Sequence, residues 1–182
     1  MSTKEHESTR RRLTDRQADT VRRLTEATVA EVRETDYDGL TVRNVARRAG
    51  VAPATAYTYF TSKNHLLTEV FWRRLDALEP ARPGQVALVL REIALLVSDE
   101  PPLAAAITTA MLGSDPDVRE LRVRIGATVR TRLQIALGDR DPMILEALEL
   151  AYTGALVHAG MGFTSYSDIA DRLAAVAELM MR

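Results

Sequence analysis

A short polar segment around residue 57 carries the side chains with the clearest chemical use in this sequence. Thr55, Tyr57 and Tyr59 bring three hydroxyl groups close together, and Lys63 adds a cation soon afterwards. Hydroxyl groups and an ammonium on a short helix are suited to phosphate oxygens and to the base edges in a DNA major groove. The alternative is that the two tyrosines pack half-buried at an ordinary corner between two helices.

Other chemistries find little support in the sequence. The absence of cysteine excludes disulfides, thiolate zinc sites and a cysteine nucleophile, and the histidines at 6, 65 and 158 are too scattered for a metal site. No Ser/His/acid order is present. We therefore expect no enzyme activity, no cofactor and no metal. One carboxylate cluster is predicted to be only the solvated end of a helix: Glu31, Glu34, Asp36 and Asp38.

The net charge of −1 conceals an uneven distribution. Residues 10–74 hold 13 Lys and Arg against 8 Asp and Glu, whereas residues 80–182 hold 10 against 13. This distribution places any polyanion contact in the first third of the chain. No uncharged apolar run reaches the ~20 residues that span a bilayer, and no apolar signal segment follows the N-terminal arginines. We expect a cytoplasmic protein that makes no membrane contact.

The pattern around residue 50 predicts two short helices joined by a tight turn. The first runs over residues 42–49, with Thr41 as its N-cap, and Gly50 ends it. Pro53 suits the first position of the second helix, which ends near Phe60. Two short helices joined in this way form a helix-turn-helix.

The rest of the chain also has helical periodicity, and no segment alternates as a strand does. A first helix is predicted over 14–35, capped by Thr14, and a linking helix over 63–78, capped by Ser62. A proline-rich joint at 79–84 separates these from further helices at 85–98, 102–112, 116–137, 142–163 and 167–181. The predicted fold class is all-α.

Residues 37–67 resemble the N-terminal domain of the TetR family of transcriptional regulators. The matching residues lie in one ungapped stretch: Leu40, Thr41, Val42, Ala46, Ala49, Gly50, Val51, Thr55, Tyr57, Tyr59, Phe60, Ser62, Lys63 and Leu66 or Leu67. Three residues depart from the family pattern, where Ala52 replaces serine, Ala54 replaces glycine and Ala56 replaces a larger aliphatic residue. We expect these changes to alter the approach to the groove without abolishing binding.

The resemblance implies a role for each matching position. Thr41, Tyr57 and Lys63 would contact phosphates. Phe60 would pack in the core. The residues facing base edges or sugars would be Arg43, Pro53, Ala54, Thr55 and Tyr59. The arginines at 10–12 and 16 are predicted either to reach across a groove as a loose arm or to form a solvated charge run.

The resemblance also implies three parts: a basic arm (1–12), a helix-turn-helix DNA-binding domain (13–62) and a helical effector-binding and dimerisation domain (63–182). Helix 142–163 is apolar nearly all round, so we expect core on one side and a partner subunit on the other. The final helix would complete this interface with its stripe Ile169, Leu173, Val176, Ala177 and Met180.

The effector pocket is predicted from apolar and hydroxylic residues that each could equally be ordinary core: Trp72, Thr108, Met111, Tyr152, His158 and Phe163. A mostly aliphatic lining favours an uncharged or lipophilic effector. The predicted function is a homodimeric regulator, a repressor that binds a pseudo-palindromic DNA operator and is released by a small molecule. The alternative is an all-helical small-molecule binding module without sequence-specific DNA binding.

Overall fold

A computed structural model describes residues 15–182. Over this range the chain forms nine α-helices and no strand, so the predicted all-α class is confirmed. The helices are α1 (Asp15–Gly39), α2 (Val42–Arg48), α3 (Pro53–Tyr59), α4 (Lys63–Asp76), α5 (Val86–Leu95), α6 (Pro101–Leu112), α7 (Pro116–Leu137), α8 (Pro142–Gly160) and α9 (Tyr166–Met180). The predicted cap Thr14 and the arginines at 10–12 lie outside the described residues. No helix of residues 15–182 is long and apolar enough to span a membrane.

The first three helices form the predicted helix-turn-helix around a small apolar core. Leu24, Val45, Ala56 and Phe60 are all buried there, which confirms the packing role of Phe60. Gly50 has φ of 63°, a left-handed conformation that lets the chain leave α2 at little steric cost. These contacts fix α3 across the preceding helices.

Side-chain caps begin the short helices as predicted. The Thr41 hydroxyl accepts a hydrogen bond from the Asn44 amide, and the Ser62 hydroxyl accepts one from the His65 amide. Ala52 makes no side-chain cap, so α3 relies on proline at its start.

The proline-rich joint between α4 and α5 is tied to α7. The Arg132 guanidinium donates to the Glu79 carbonyl at 2.8 Å and to the Glu92 carboxylate at 3.1 Å. The Gly84 amide donates to the Ala136 carbonyl at 2.8 Å. Because these bonds hold the joint in place, it is not a free hinge in this structure.

The last helix packs differently from the prediction. Ile169, Leu173 and Ala177 are buried inside the chain, and α9 packs along α5. The very apolar α5 needs a covering helix, and α9 provides it, so most of the stripe predicted to meet a partner subunit belongs to the core of one chain. By contrast, α8 buries Leu145 and Leu148 and leaves other apolar side chains exposed, as predicted.

Candidate DNA-binding surface and effector cavity

The outer surface of α3 is uncharged and open to solvent. Ala56 is its only buried residue, and its sequence contains no acid. The residues predicted to meet base edges or sugars from this helix are three exposed ones, Pro53, Ala54 and Thr55, and the half-buried Tyr59. Tyr57 is 51% exposed, so its hydroxyl can reach a ligand outside the protein. The helix thus presents small and hydroxylic groups that an anionic backbone would not repel.

Two further predicted contacts lie at the start of α2. Thr41 and Arg43 are exposed, and the Thr41 hydroxyl also caps the helix. Within residues 15–182, the Arg43 guanidinium makes no hydrogen bond or ion pair, so it is available to an anion. Arg16, from the predicted arm, is likewise exposed at the start of α1.

Other cations in this third of the chain have structural roles instead. The Arg48 guanidinium pairs with the Glu31 carboxylate at 2.6 Å and also with Glu34. Its hydrogen bond lowers the pKa of Glu34. Arg23 donates to the carbonyls of Ala49 and Gly50. Some of the arginines in this basic part of the chain therefore hold α1 against α2.

This ion pair also corrects a prediction. Glu31 is 5% exposed, so it is not part of a solvated helix end. Its carboxylate is buried because the guanidinium of Arg48 compensates its charge there. The sequence signal, an acid on the apolar side of an amphipathic helix, was present but did not name its partner.

Lys63 is engaged within the protein. Its Nζ donates to the Tyr37 carbonyl at 2.8 Å and lies 3.9 Å from the centroid of the Tyr37 ring. The Tyr37 hydroxyl in turn donates to Asn64 Oδ1 at 2.9 Å. Together these contacts attach the start of α4 to the end of α1. The ammonium would therefore have to leave the Tyr37 carbonyl to meet a phosphate.

The junction between α3 and α4 is bonded to the start of α7, a link that sequence reasoning missed. The Thr61 hydroxyl donates to the Asp117 carboxylate, and the Ser62 hydroxyl donates to the Asp115 carboxylate. The bond from Ser62 is the main cause of a lowered pKa at Asp115, which also caps α7. The Ser62 cap was predicted from the sequence, whereas its bond to the residue that caps α7 was not.

A cavity of about 240 Å³ lies between the helices of the rear bundle. Its walls come from α4 to α8 and from Tyr166 and are almost entirely apolar, with Phe71, Ile93, Ile107, Ile125, Val129 and Leu156 as examples. The few polar groups include Thr108, whose hydroxyl lies 3.2 Å from the Tyr166 hydroxyl. Arg122 also lines the cavity, and it donates to the carbonyls of Met111 and Gly113.

The two phenols on the cavity wall stay neutral at ordinary pH. Burial raises the pKa of both Tyr152 and Tyr166 above the usual value of 10.0. Neutral phenols can donate or accept hydrogen bonds but add no charge. An uncharged, mostly apolar molecule with one polar group suits such a lining.

The six residues predicted to contact an effector divide into three on the cavity wall and three off it. Thr108, Met111 and Tyr152 lie on the cavity wall. Trp72, His158 and Phe163 lie off this wall, so their contact with an effector stays a prediction that the cavity does not support. Trp72 follows the cavity-lining Phe71 in the chain, and the Arg124 guanidinium lies 5.5 Å from its ring centroid. His158 and Phe163 are exposed at the end of α8, where their rings lie 5.2 Å apart.

The chain resembles known regulators over most of its length. The model of a protein family described as "Bacterial regulatory proteins, tetR family" matches residues 24–70, which run from α1 into α4. An uncharacterised HTH-type transcriptional regulator of Mycobacterium tuberculosis (strain H37Rv) is 48% identical over 175 residues, which cover 91% of this chain and 82% of that protein. The HTH-type transcriptional repressor KstR of Rhodococcus jostii is 28% identical over 173 residues, which cover 88% and 82% of the two chains.

A solved structure has the same fold. The crystal structure of a TetR transcriptional regulator from Rhodococcus sp. RHA1 aligns with a TM-score of 0.75 at 23% identity and covers 92% of this chain and 98% of that one. The prediction of a helix-turn-helix regulator is thus confirmed over the alternative, a small-molecule binding module without sequence-specific DNA binding. Because this chain is 48% identical to a regulator of which it covers 82%, and because the tetR family model matches its N-terminal helices, it belongs to the TetR family of helix-turn-helix transcriptional regulators.

Proposed function

We propose that the protein is a repressor that binds a pseudo-palindromic operator as a homodimer and leaves it when a small molecule fills the internal cavity. The observation that carries the DNA-binding half is the exposed, acid-free surface of α3, which buries only Ala56. A related protein of the same family, KstR, is named a repressor, which favours repression over activation. A cytoplasmic location and the absence of catalysis follow from this role.

Each residue of the DNA surface has a proposed contact. Thr41, Tyr57 and Lys63 contact phosphates, which position the protein without reading sequence. Arg43 and the outer residues of α3 (Pro53, Ala54, Thr55 and Tyr59) meet base edges or sugars. Because Lys63 must first leave the Tyr37 carbonyl, it contacts a phosphate only in the complex with DNA.

The effector is proposed to be lipophilic and small. A cavity of about 240 Å³ is below the ~300–1,000 Å³ of typical drug-sized sites. The hydroxyls of Thr108 and Tyr166 offer one hydrogen-bonding point to a molecule that is otherwise apolar. A strongly charged ligand would find few partners on this wall.

The proposed domains are the helix-turn-helix (13–62) and the effector and dimerisation domain (63–182), with α4 joining them. Lys63 begins this helix beside the DNA surface, and Phe71 lines the cavity one to two turns later. A ligand pressing on Phe71 would tilt α4 and change the separation of the two α3 helices in a dimer. Operator and effector would therefore oppose each other.

A gel-shift titration tests the DNA-binding half. The protein is titrated against the intergenic DNA beside its own gene and against unrelated DNA of equal length. We expect a specific complex for the intergenic fragment, a weaker one for Arg43→Ala, and an unchanged one for Arg82→Ala, which removes an equal charge from the exposed joint. Equal affinity of the wild-type protein for both DNAs would contradict the proposal.

A further inference from the structure

Arg122 of α7 places a positive charge on the otherwise apolar wall of the cavity. One nitrogen of its guanidinium, Nη1, donates to the Met111 carbonyl at 2.6 Å and to the Gly113 carbonyl at 2.8 Å. Both acceptors are neutral, and within residues 15–182 no carboxylate lies at ion-pairing distance from this side chain. Because a partly buried cation without a counter-charge costs free energy, such a position favours a bound anion.

The other two nitrogens of this guanidinium are available to a ligand. Within the described part of the chain, Nε and Nη2 of Arg122 donate no hydrogen bond, and neither is a buried atom that lacks a partner. Both are therefore accessible to water or to a bound molecule. They form one edge of the planar guanidinium, and the two parallel N–H groups of such an edge fit the two oxygens of a carboxylate.

The cavity has an open end beside Arg122 and a closed, apolar end. On α7 the lining residues Arg122, Ile125 and Val129 follow one another along one face, and only Arg122 is not fully buried. On α6 the lining residue Leu112 is 62% exposed, whereas Ala104 is buried. Because Arg122 is bonded to the end of α6, the mouth lies there, and the closed end lies roughly 10 Å further in, the rise of seven helical residues.

We propose that Arg122 binds the carboxylate of the effector, and that the effector is a carboxylic acid with one apolar tail of medium length. This assignment rests on the proposed function, since it names the chemical class of the effector. The tail fills the closed end of the cavity, and the carboxylate stays at the mouth. The wall accepts a single negative charge at this one position, so the remainder of the molecule is uncharged.

The charges around the mouth favour the same ligand. Arg119 lies one turn before Arg122 on α7, is exposed, and makes no ion pair within residues 15–182. The neighbouring acid, Glu120, lies 3.8 Å from Arg124 instead. Two cations one turn apart attract an anion as it approaches from solvent. Arg119 does not line the cavity, so it adds attraction at a distance and no contact.

Calorimetric titration of the full-length protein with octanoate and with octanol tests the proposed contact. The two ligands have tails of the same length and differ in the charge of the head group. We expect the wild-type protein to bind octanoate about ten-fold more tightly than octanol, because a carboxylate forms charged hydrogen bonds with Arg122. Equal affinity for the two ligands, or no binding of octanoate, overturns the proposal.

Variants of the two arginines assign the preference to a residue. Arg122→Gln should lose the preference for octanoate and still bind octanol as the wild type does, which shows that the cavity is intact. Arg122→Lys keeps the charge without the parallel N–H groups and should retain part of the preference. Arg119→Gln removes an equal charge one turn away and should keep most of it.

Three results with these variants overturn the proposal. In the first, the preference for octanoate survives in Arg122→Gln. In the second, Arg119→Gln and Arg122→Gln lose it equally. In the third, Arg122→Gln and Arg122→Lys both lose the binding of octanol as well, which assigns Arg122 a purely structural role at the end of α6.

These titrations contain no DNA, so their outcome is separate from that of the gel shift. Failure of the gel shift with the preference for octanoate intact would contradict operator binding alone. A specific gel shift by a protein that binds octanoate no better than octanol would contradict the role of Arg122 and leave DNA binding standing.

Discussion

The backbone of Asp36 adopts a conformation that destabilises the folded state. It lies in the kink of α1 with φ of 54° and ψ of −170°, a region that is almost restricted to glycine. Asp36→Gly should therefore raise the free energy of unfolding by about 1 kcal/mol, measured by denaturant titration at fixed protein concentration. Asp38→Gly is the control, because Asp38 has no positive φ; an equal gain from both would show that strain is not the cause.

Gly160 is a residue where the absence of a side chain matters. A Cβ at this position would overlap the side chain of Thr108 on α6, so α6 and α8 can approach only because glycine is there. Gly160→Ala should lower the free energy of unfolding by about 1–3 kcal/mol, the usual cost of overpacking. It should also weaken binding of a cavity probe, since Thr108 lines the cavity.

Gly126→Ala is the matched control for the effect of Gly160→Ala on stability, though not on probe binding, since Gly126 also lines the cavity. Gly126 lies within α7, and an added Cβ there would meet nothing within 4 Å. Helix propensity alone predicts a gain of about 0.5–1 kcal/mol. Thermal or denaturant unfolding that changes in the same direction for both variants would contradict the assigned close approach.

At the scale of elements, Glu100 joins three helices. Its carboxylate pairs with Arg33 of α1 at 2.7 Å and with Arg74 of α4, and it lies directly before α6. Burial raises the pKa of Glu100, but the hydrogen bonds and charges of Arg74 and Arg33 lower it by more, so the folded pKa lies below 4.5. The ionised group therefore stabilises the fold above pH 4.5, and this contribution is lost as pH falls through the folded pKa.

Glu100→Gln should lower the free energy of unfolding at pH 7 by about 1–3 kcal/mol, since charged hydrogen bonds are lost. The difference from wild type should shrink as pH falls below 4.5, where the wild-type carboxyl also becomes neutral. Denaturant titrations across this pH range measure it. Glu120→Gln, at a side chain that is 80% exposed, should show little effect at any pH; a pH-independent loss at Glu100 would exclude the ion pairs as its cause.

The DNA-binding helices carry a prediction about salt. Tyr57→Phe and Lys63→Ala should weaken binding to operator and to unrelated DNA alike, because phosphate contacts are independent of sequence. Lys63→Ala should also reduce the slope of log K against log salt by about one unit. A salt titration of affinity measures both, and an unchanged slope would mean that Lys63 stays on the Tyr37 carbonyl in the complex.

The elements were predictable from sequence because their signals are local. Caps such as Thr41 and Ser62, and prolines at helix starts, act within one turn of the chain. The cavity wall was not predictable to the same degree. Phe71 and Trp72 are adjacent and both apolar, yet only Phe71 lines the cavity, while Trp72 lies beside Arg124 of α7. Similarly, the spacing of Leu173 suits a partner interface, but in the fold it is buried where α9 packs against α5.

At the scale of the whole molecule, α6 is attached to the DNA-binding part near both ends. Glu100 precedes it and pairs with α1 and α4, and the turn after it leads to Asp115 and Asp117, which accept hydrogen bonds from Ser62 and Thr61. Between these attachments, α6 supplies Ile107 and other residues to the cavity wall. A ligand that displaces α6 must therefore strain its links to α1 and α4.

Occupation of the cavity and binding of the operator should consequently oppose each other by the same factor in both directions, with a coupling of ~1–3 kcal/mol. Trp72, the only tryptophan, should report this through α4, because a shift of α4 against α7 changes the approach of Arg124 to its ring. Compounds that release the operator should therefore change tryptophan emission. Arg124→Gln should shrink that emission change while leaving release intact, because it removes only the cation beside the ring. Release of the operator without any change in Trp72 emission across a set of active compounds would show that α4 does not carry the coupling.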